Sequence, residues 1–179
     1  MNKEAMMQYV GKIIRVDRGG PESRIGKLLA VHDDYFILLT KRDGVVYYKT
    51  NHIRSVTESS KDLMKLGIKV PKNFEYKTAE NFVKLLESIK YQWIRINRGG
   101  HEALEGVLND VTKDIASLIV KEEVVRFSMK HIRNISYGLI IGGSNDDSGK
   151  SDGDDDDNDN NNDNDNNDDN DNNQDEDNE

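Results

Sequence analysis

The chain is expected to be mainly β: two tandem small β-barrels, each preceded by a short helix, with a disordered acidic tail. Three observations predict this. The sequence repeats itself once, each repeat is a series of short β-branched runs broken by turn residues, and the charge changes abruptly at Ser144. Residues 9–57, from "YVGKIIRVDRGGPES", align with the stretch beginning "IKYQWIRINRGGHEA" at an offset of 80 through three apolar runs and 79 afterwards. The single-residue difference falls between "KRDG" (41–44) and "KEE" (121–123), where a change of turn length is cheap. The paired identities include Arg15/Arg95, Arg18/Arg98, Gly19/Gly99, Gly20/Gly100, Glu22/Glu102, Gly26/Gly106, Val31/Val111, Leu38/Leu118, Val45/Val124, His52/His131, Ile53/Ile132 and Arg54/Arg133.

Within the first copy the runs "KIIRVD", "GKLLAV", "YFILLT", "VVYYK" and "IRSVT" are rich in β-branched and aromatic residues and separated by Gly, Asp or Asn. Five short strands per copy follow. In the first run Ile14 and Val16 should face the core and Arg15 and Asp17 the solvent, an alternation repeated by Ile94 and Ile96 against Arg95 and Asn97. Before the second copy, Phe82, Leu85, Leu86 and Ile89 stand at i, i+3, i+4 and i+7 behind Thr78 as N-cap, the pattern of an amphipathic helix. Met6, Met7 and Val10 make a shorter version ahead of the first copy. A helix and five bent strands in about 55 residues suit a small Sm-like or SH3-like barrel, which closes its own sheet.

The expected organisation is a first module over 1–58, a linker over 59–77, a second module with its leading helix over 78–143, and the tail over 144–179. The apolar Leu63, Leu66 and Val70 suggest that the linker packs on a barrel. The tail holds 17 acidic residues, one base and twelve asparagines, with no aromatic residue and glycine as its only apolar type. Such a segment buries too little surface to offset the entropy of ordering it. The net charge of -9 therefore divides into -16 for the tail and +7 for residues 1–143. The absence of cysteine excludes disulfides and thiolate metal sites. The start of the chain lacks a secretory pattern, and "YGLIIGG" is far short of a bilayer span, so a soluble protein is expected.

The loop "DRGGPES" (17–23) recurs as "NRGGHEA" (97–103). Adjacent glycines permit positive φ and leave backbone N–H groups available, which serves a hairpin turn and equally a binding loop. The turn is the plainer reading. The functional one is a docking patch for a partner, made by Arg18, Gly19, Gly20 and Glu22 with Arg98, Gly99, Gly100 and Glu102. His52 and His131 precede the last strand of each copy, and His32 and His101 do not correspond to each other, so a structural role is preferred over a metal site. No nucleophile, base and orienting acid, no carboxylate pair and no phosphate loop is found, which argues against an enzyme and against a bound cofactor. Acids spaced by asparagines form no fixed cage, so Ca²⁺ binding on the tail would be weak and multiple.

The stretches "RVDRGGPESRIGKLLAV", "YYKTNHIRSV", "WIRINRGGHEALEGVL" and "KHIRNISYG" together resemble the spore coat protein B family of endospore-forming bacilli, whose N-terminal part repeats an RGG-P-E module. The resemblance covers nearly all of residues 8–138. It implies a structural protein of the spore coat or outer spore layer, made in the mother-cell cytoplasm, with other spore coat proteins as partners. Self-association is a further option for the modules, and no membrane partner is expected. This chain has two copies where longer relatives have three, His101 where the family shows proline, and an Asp/Asn-rich tail where theirs is rich in Ser, Lys and Arg. Phosphorylation of the tail is therefore not carried over. More distantly, "GKLLAVHDDYFILLT" with "VVYYKTNHIRSV" is similar to the Sm fold of the bacterial RNA chaperone Hfq, which implies RNA contacts at Lys49, His52, Lys130 and His131. A charge of +7 beside a -16 tail makes nucleic acid the lesser alternative.

Overall fold

The computed structural model describes residues 1–61, 64–67 and 74–138. The tail at 144–179, and Leu63 and Val70 of the linker, lie outside the described residues; Leu66 is half-buried. The first copy comprises α1 (Lys3–Met7), β1 (Ile13–Val16), β2 (Arg24–Val31), β3 (Tyr35–Thr40), β4 (Gly44–Lys49), a 3₁₀ turn (Thr50–His52) and β5 (Val56–Glu58). The second comprises α2 (Phe82–Ser88), β6 (Trp93–Ile96), β7 (Leu104–Val111), β8 (Ile115–Val120), β9 (Glu123–Ser128) and β10 (Asn134–Tyr137). Among these residues no helix is long and apolar enough to cross a membrane.

All ten strands belong to one antiparallel sheet in the order β5-β1-β2-β3-β4-β10-β6-β7-β8-β9. Each copy therefore contributes the same five-strand set, its last strand beside its first. The two sets expected as separate units share a joint: β4 of the first pairs with β10 of the second through Val46, Tyr47 and Tyr48 against Ser136, Ile135 and Asn134. In both copies the long second strand slips register at the same place, between Leu28 and Ala30 and between Leu108 and Asp110. An irregularity of this kind bends a strand and strengthens its twist.

Two apolar clusters result. Met6, Ile14, Val16, Leu28, Phe36, Leu38, Val46, Tyr48 and Ile53 form the core of the first copy. The second cluster joins Phe82, Leu85, Leu86, Ile94, Ile96, Leu108, Leu118, Ile132 and Ile135 to Tyr35, Ile37, Leu39, Val45 and Tyr47 of the first copy. Alternate residues of a strand point to opposite faces, so β3 and β4 serve both clusters at once. Every residue of β3 is buried for that reason, whereas the corresponding β8 is exposed at Ile115 and Ile119.

Two local expectations are corrected. The N-cap of α2 is Asn81, whose side chain accepts from Lys84 N–H at 2.9 Å, and the Phe82 N–H is taken by the Asp34 carboxylate at 2.9 Å. Thr78 is too far upstream to reach the first free amides, and Asn2 caps α1 in the same way through Ala5 N–H. Asp17, expected on the wet face, is buried. Its φ of 50° takes it out of the strand alternation and turns its carboxylate onto the N–H groups of Arg54 (2.8 Å) and Ser55 (3.2 Å).

Gly26 and Gly106 explain themselves at the β2–β3 and β7–β8 crossings. A Cβ on Gly26 would lie 2.6 Å from the Leu39 carbonyl oxygen, and one on Gly106 2.4 Å from that of Ile119. Gly26→Ala and Gly106→Ala should each lower unfolding free energy by about 1–3 kcal/mol through overpacking, read from urea denaturation with an unchanged m-value.

Candidate docking interface

The two glycine loops are positioned by buried polar clamps that follow each first strand. Asn97, with φ 53°, mirrors Asp17: its Oδ1 accepts from Arg133 N–H at 2.8 Å and its Nδ2 donates to the His131 carbonyl at 2.9 Å. Asp17 and Asn97 thus tie the entry of the last strand to the exit of the first. Sequence reasoning placed both on the solvent face and missed this role; the signal was an Asp or Asn at the same place in both copies, directly before the RGG. Gly19, Gly20 and Gly99 all have positive φ.

The loops are equivalent in sequence and unlike in surroundings. Arg98 reaches inward, its Nε donating to Ser136 Oγ at 2.5 Å and its Nη1 to the Asp43 carboxylate. The same carboxylate accepts from Arg24 Nε at 2.7 Å, and Arg24 also donates to the Pro21 and Ser23 carbonyls. Side-chain exposures of 10% for Arg98 and 7% for Asp43 place this ion pair in the interior of the joint. Burial lowers the Arg98 pKa, with Asp43 the largest opposing influence. Glu22 accepts from Arg133 at 2.6 Å, and Glu102 lies 3.9 Å from the same guanidinium. A Cβ on Gly99 would sit 2.0 Å from the Pro21 carbonyl oxygen, and one on Gly100 3.0 Å from Glu22, so the second loop lies directly on the first.

Of the eight residues expected to form a docking patch, the structure brings Glu22, Arg98, Gly99 and Gly100 together inside the molecule. Arg18, Gly19 and Gly20 are exposed, with open space around both glycines, and the Glu102 side chain is 66% exposed. Arg18 and Arg98 do not make one patch. Asp43 was not singled out from the sequence, although it belongs to the one turn, "KRDG", that distinguishes the first copy from the second.

The remaining candidates lie at the other end of the β4–β10 joint. Lys49 donates to the Met129 carbonyl at 2.8 Å and stands 5.6 Å over the Phe82 ring, while its backbone N–H reaches the Arg133 carbonyl at 3.0 Å. Burial lowers its pKa. His52 is half-buried; desolvation first, and then the charge of Lys49, lower its pKa, with smaller effects from Arg133 and His131. Lys130 and His131 are exposed. Lys49 is thus a strut of the joint, one of whose contacts, with Phe82, rests on an aromatic residue that the first copy lacks at the start of its helix.

This asymmetry has a direct test. Arg98→Ala should cost about 1–3 kcal/mol, because Ser136 and Asp43 each lose a donor in a dry site. Arg18→Ala should stay within about 0.5 kcal/mol, as expected for an exposed side chain. Chemical denaturation of the two single variants measures the difference.

No family model matches the chain, and no solved structure matches it. Among curated proteins it is similar to spore coat protein B of Bacillus subtilis (strain 168), with 36% identity over 129 residues, or 72% of this chain. The matched region spans 33% of that relative's length. Through this duplicated region, the chain belongs to the spore coat protein B family.

Proposed function

We propose that the protein is a structural component of the bacterial spore coat, acting by protein–protein docking of its duplicated modules. The kinship with spore coat protein B carries this reading. The joint between the copies supports the docking mechanism, because the two five-strand sets meet there through a strand edge, an apolar face and a buried ion pair. A surface that serves once inside the chain is a surface of a kind that other copies or other coat proteins can use.

In this reading each five-strand set, 1–58 and 78–143, is a small Sm-like barrel unit left open between its fourth and fifth strands, so that both edges can pair with neighbours. The linker over 59–77 connects them, and residues 144–179 form a hydrated polyanion on the outside of the assembly. The chemistry is that of a scaffold: no catalytic step is assigned, and the partners are proteins of the same shell. The basic excess of residues 1–143 against the acidic tail favours contacts between neighbouring molecules that weaken as salt is raised.

The test is to follow a fluorescent fusion of the full chain through growth and sporulation. Accumulation as a shell around the forespore, absent from growing cells, is the expected result. Diffuse signal in growing cells overturns the coat reading.

A further inference from the structure

The joint between the two copies uses β4 of the first and β10 of the second. Because the copies are duplicates, the molecule carries a second set of the same two surfaces at its ends. β9 corresponds to β4, and among the described residues it pairs with β8 alone. β5 corresponds to β10, and among the described residues it pairs with β1 alone. From these observations we infer that the protein self-associates head to tail, the β9 edge of one molecule pairing with the β5 edge of the next by repeating the internal β4–β10 joint. The inference rests on the docking reading above and names a second copy of this chain as the partner.

Three features at the free ends fit that occupant. The first is the apolar face. Ile115, Ile119 and Val124 stand where the first copy has Tyr35, Leu39 and Val45, which the second copy covers. At 42%, 38% and 48% exposed they are the uncovered version of a face whose counterpart is buried. The second is an open hollow lined by Asp114, Ile115, Arg126 and Ser128. These are the positions of Asp34, Tyr35, Tyr47 and Lys49, among which Asp34, Tyr35 and Lys49 receive the start of α2 and its Phe82.

The third feature is charge. In the internal joint Arg98 pairs with Asp43 and Arg133 with Glu22. The counterparts of the two arginines are Arg18 and Arg54, both exposed and without an ion-pair partner among the described residues. The counterparts of the two acids are Glu122, in the turn that aligns with Asp43, and Glu102. One end of the molecule thus presents the cations, and the other the anions, of the same two ion pairs. Asn2, Ala5 and Val56 replace the larger Phe82, Leu85 and Ile135 at the free end, so this contact relies more on charge and strand pairing than the internal one. It should weaken with salt accordingly.

The equivalence also sets the register. Asn134, Ile135 and Ser136 oppose Tyr48, Tyr47 and Val46 within the chain, so Ser55, Val56 and Thr57 of one molecule should oppose Phe127, Arg126 and Val125 of the next. The Lys49 N–H points across the internal joint, and by alternation so does that of Tyr47. Arg126 holds the Tyr47 position, so proline there removes an outward N–H while leaving the β8 ladder its own bonds. A contact of this type joins unlike surfaces, so it propagates into a ring or a filament rather than closing as a two-fold dimer.

Sedimentation velocity on the full-length chain, across concentration and salt, tests the inference against the monomer mass of 20.4 kDa. Association is expected at low salt and should fall with added salt. Arg126→Pro, Arg18→Glu and Glu122→Arg should each weaken it at least tenfold, while circular dichroism and melting temperature report that each variant remains folded. The chain carrying both Arg18→Glu and Glu122→Arg should regain association, because the swapped charges again meet across the contact. Deleting residues 144–179 should leave association in place. A chain that stays monomeric at every concentration, a folded Arg126→Pro variant that associates as before, or loss of association on deleting the tail would each overturn the inference. Monomeric protein that nevertheless reaches the spore surface would overturn it and leave the coat reading standing.

Discussion

The burial of β3 and β4 on both faces is the constraint on which the rest of the molecule depends. One face of this hairpin closes the core of the first copy, and the other completes the core of the second. Neither the ladder to β10 nor the packing of α2 could form if β4 kept its outer edge in water. The aromatic content follows from that double duty: Tyr35 stacks edge-on against Phe82 and its hydroxyl exchanges hydrogen bonds with Ala79 backbone groups. A tyrosine suits such a place, since it offers a large apolar ring and one polar end that must find a partner.

Beside this hairpin, charges from the two copies are paired across the joint. Asp43 is held by two arginines, one from each copy, and Glu22 by Arg133 across the same joint. A buried ion pair contributes little net stability compared with an apolar alternative, but it strongly disfavours arrangements that leave one charge alone. Its effect here is on register. A slip of the joint would separate Arg98 from Asp43 and Arg133 from Glu22 together, besides turning the apolar residues of β4 to the wrong face.

The glycine loop reads differently in that setting. The two copies of the segment serve unlike ends. In the second copy the loop lies against Pro21 and Glu22 and is part of an interface; in the first it is a solvent-exposed turn carrying an exposed arginine. Among the described residues, the strands equivalent to those of the internal joint stand at the two edges of the sheet. The chain has no cysteine for covalent cross-links, and this geometry gives it a non-covalent means of joining one five-strand set to the next.

The strands, their order of appearance and the two turns that need glycine were legible in the sequence, because each is a local consequence of residue type and spacing; the tight crossings at Gly26 and Gly106 came from the structure, since they depend on a neighbouring strand's backbone. Asp17 was misplaced, and Asn97 with it, since alternation assumes that a strand continues, and a single positive φ ends it. The duplication by itself determined that the chain has two like units. Only the tertiary structure decided how each member of an equivalent pair is used: Arg98 turned inward and Arg18 exposed, Glu22 closer to Arg133 than Glu102 is, Tyr35 as a core residue and Ile115 as a surface one. The physical reason is that every sheet has two edges. Joining two identical units consumes one edge of each, so equal residues end in unequal surroundings, a distinction that no reading of either copy alone contains.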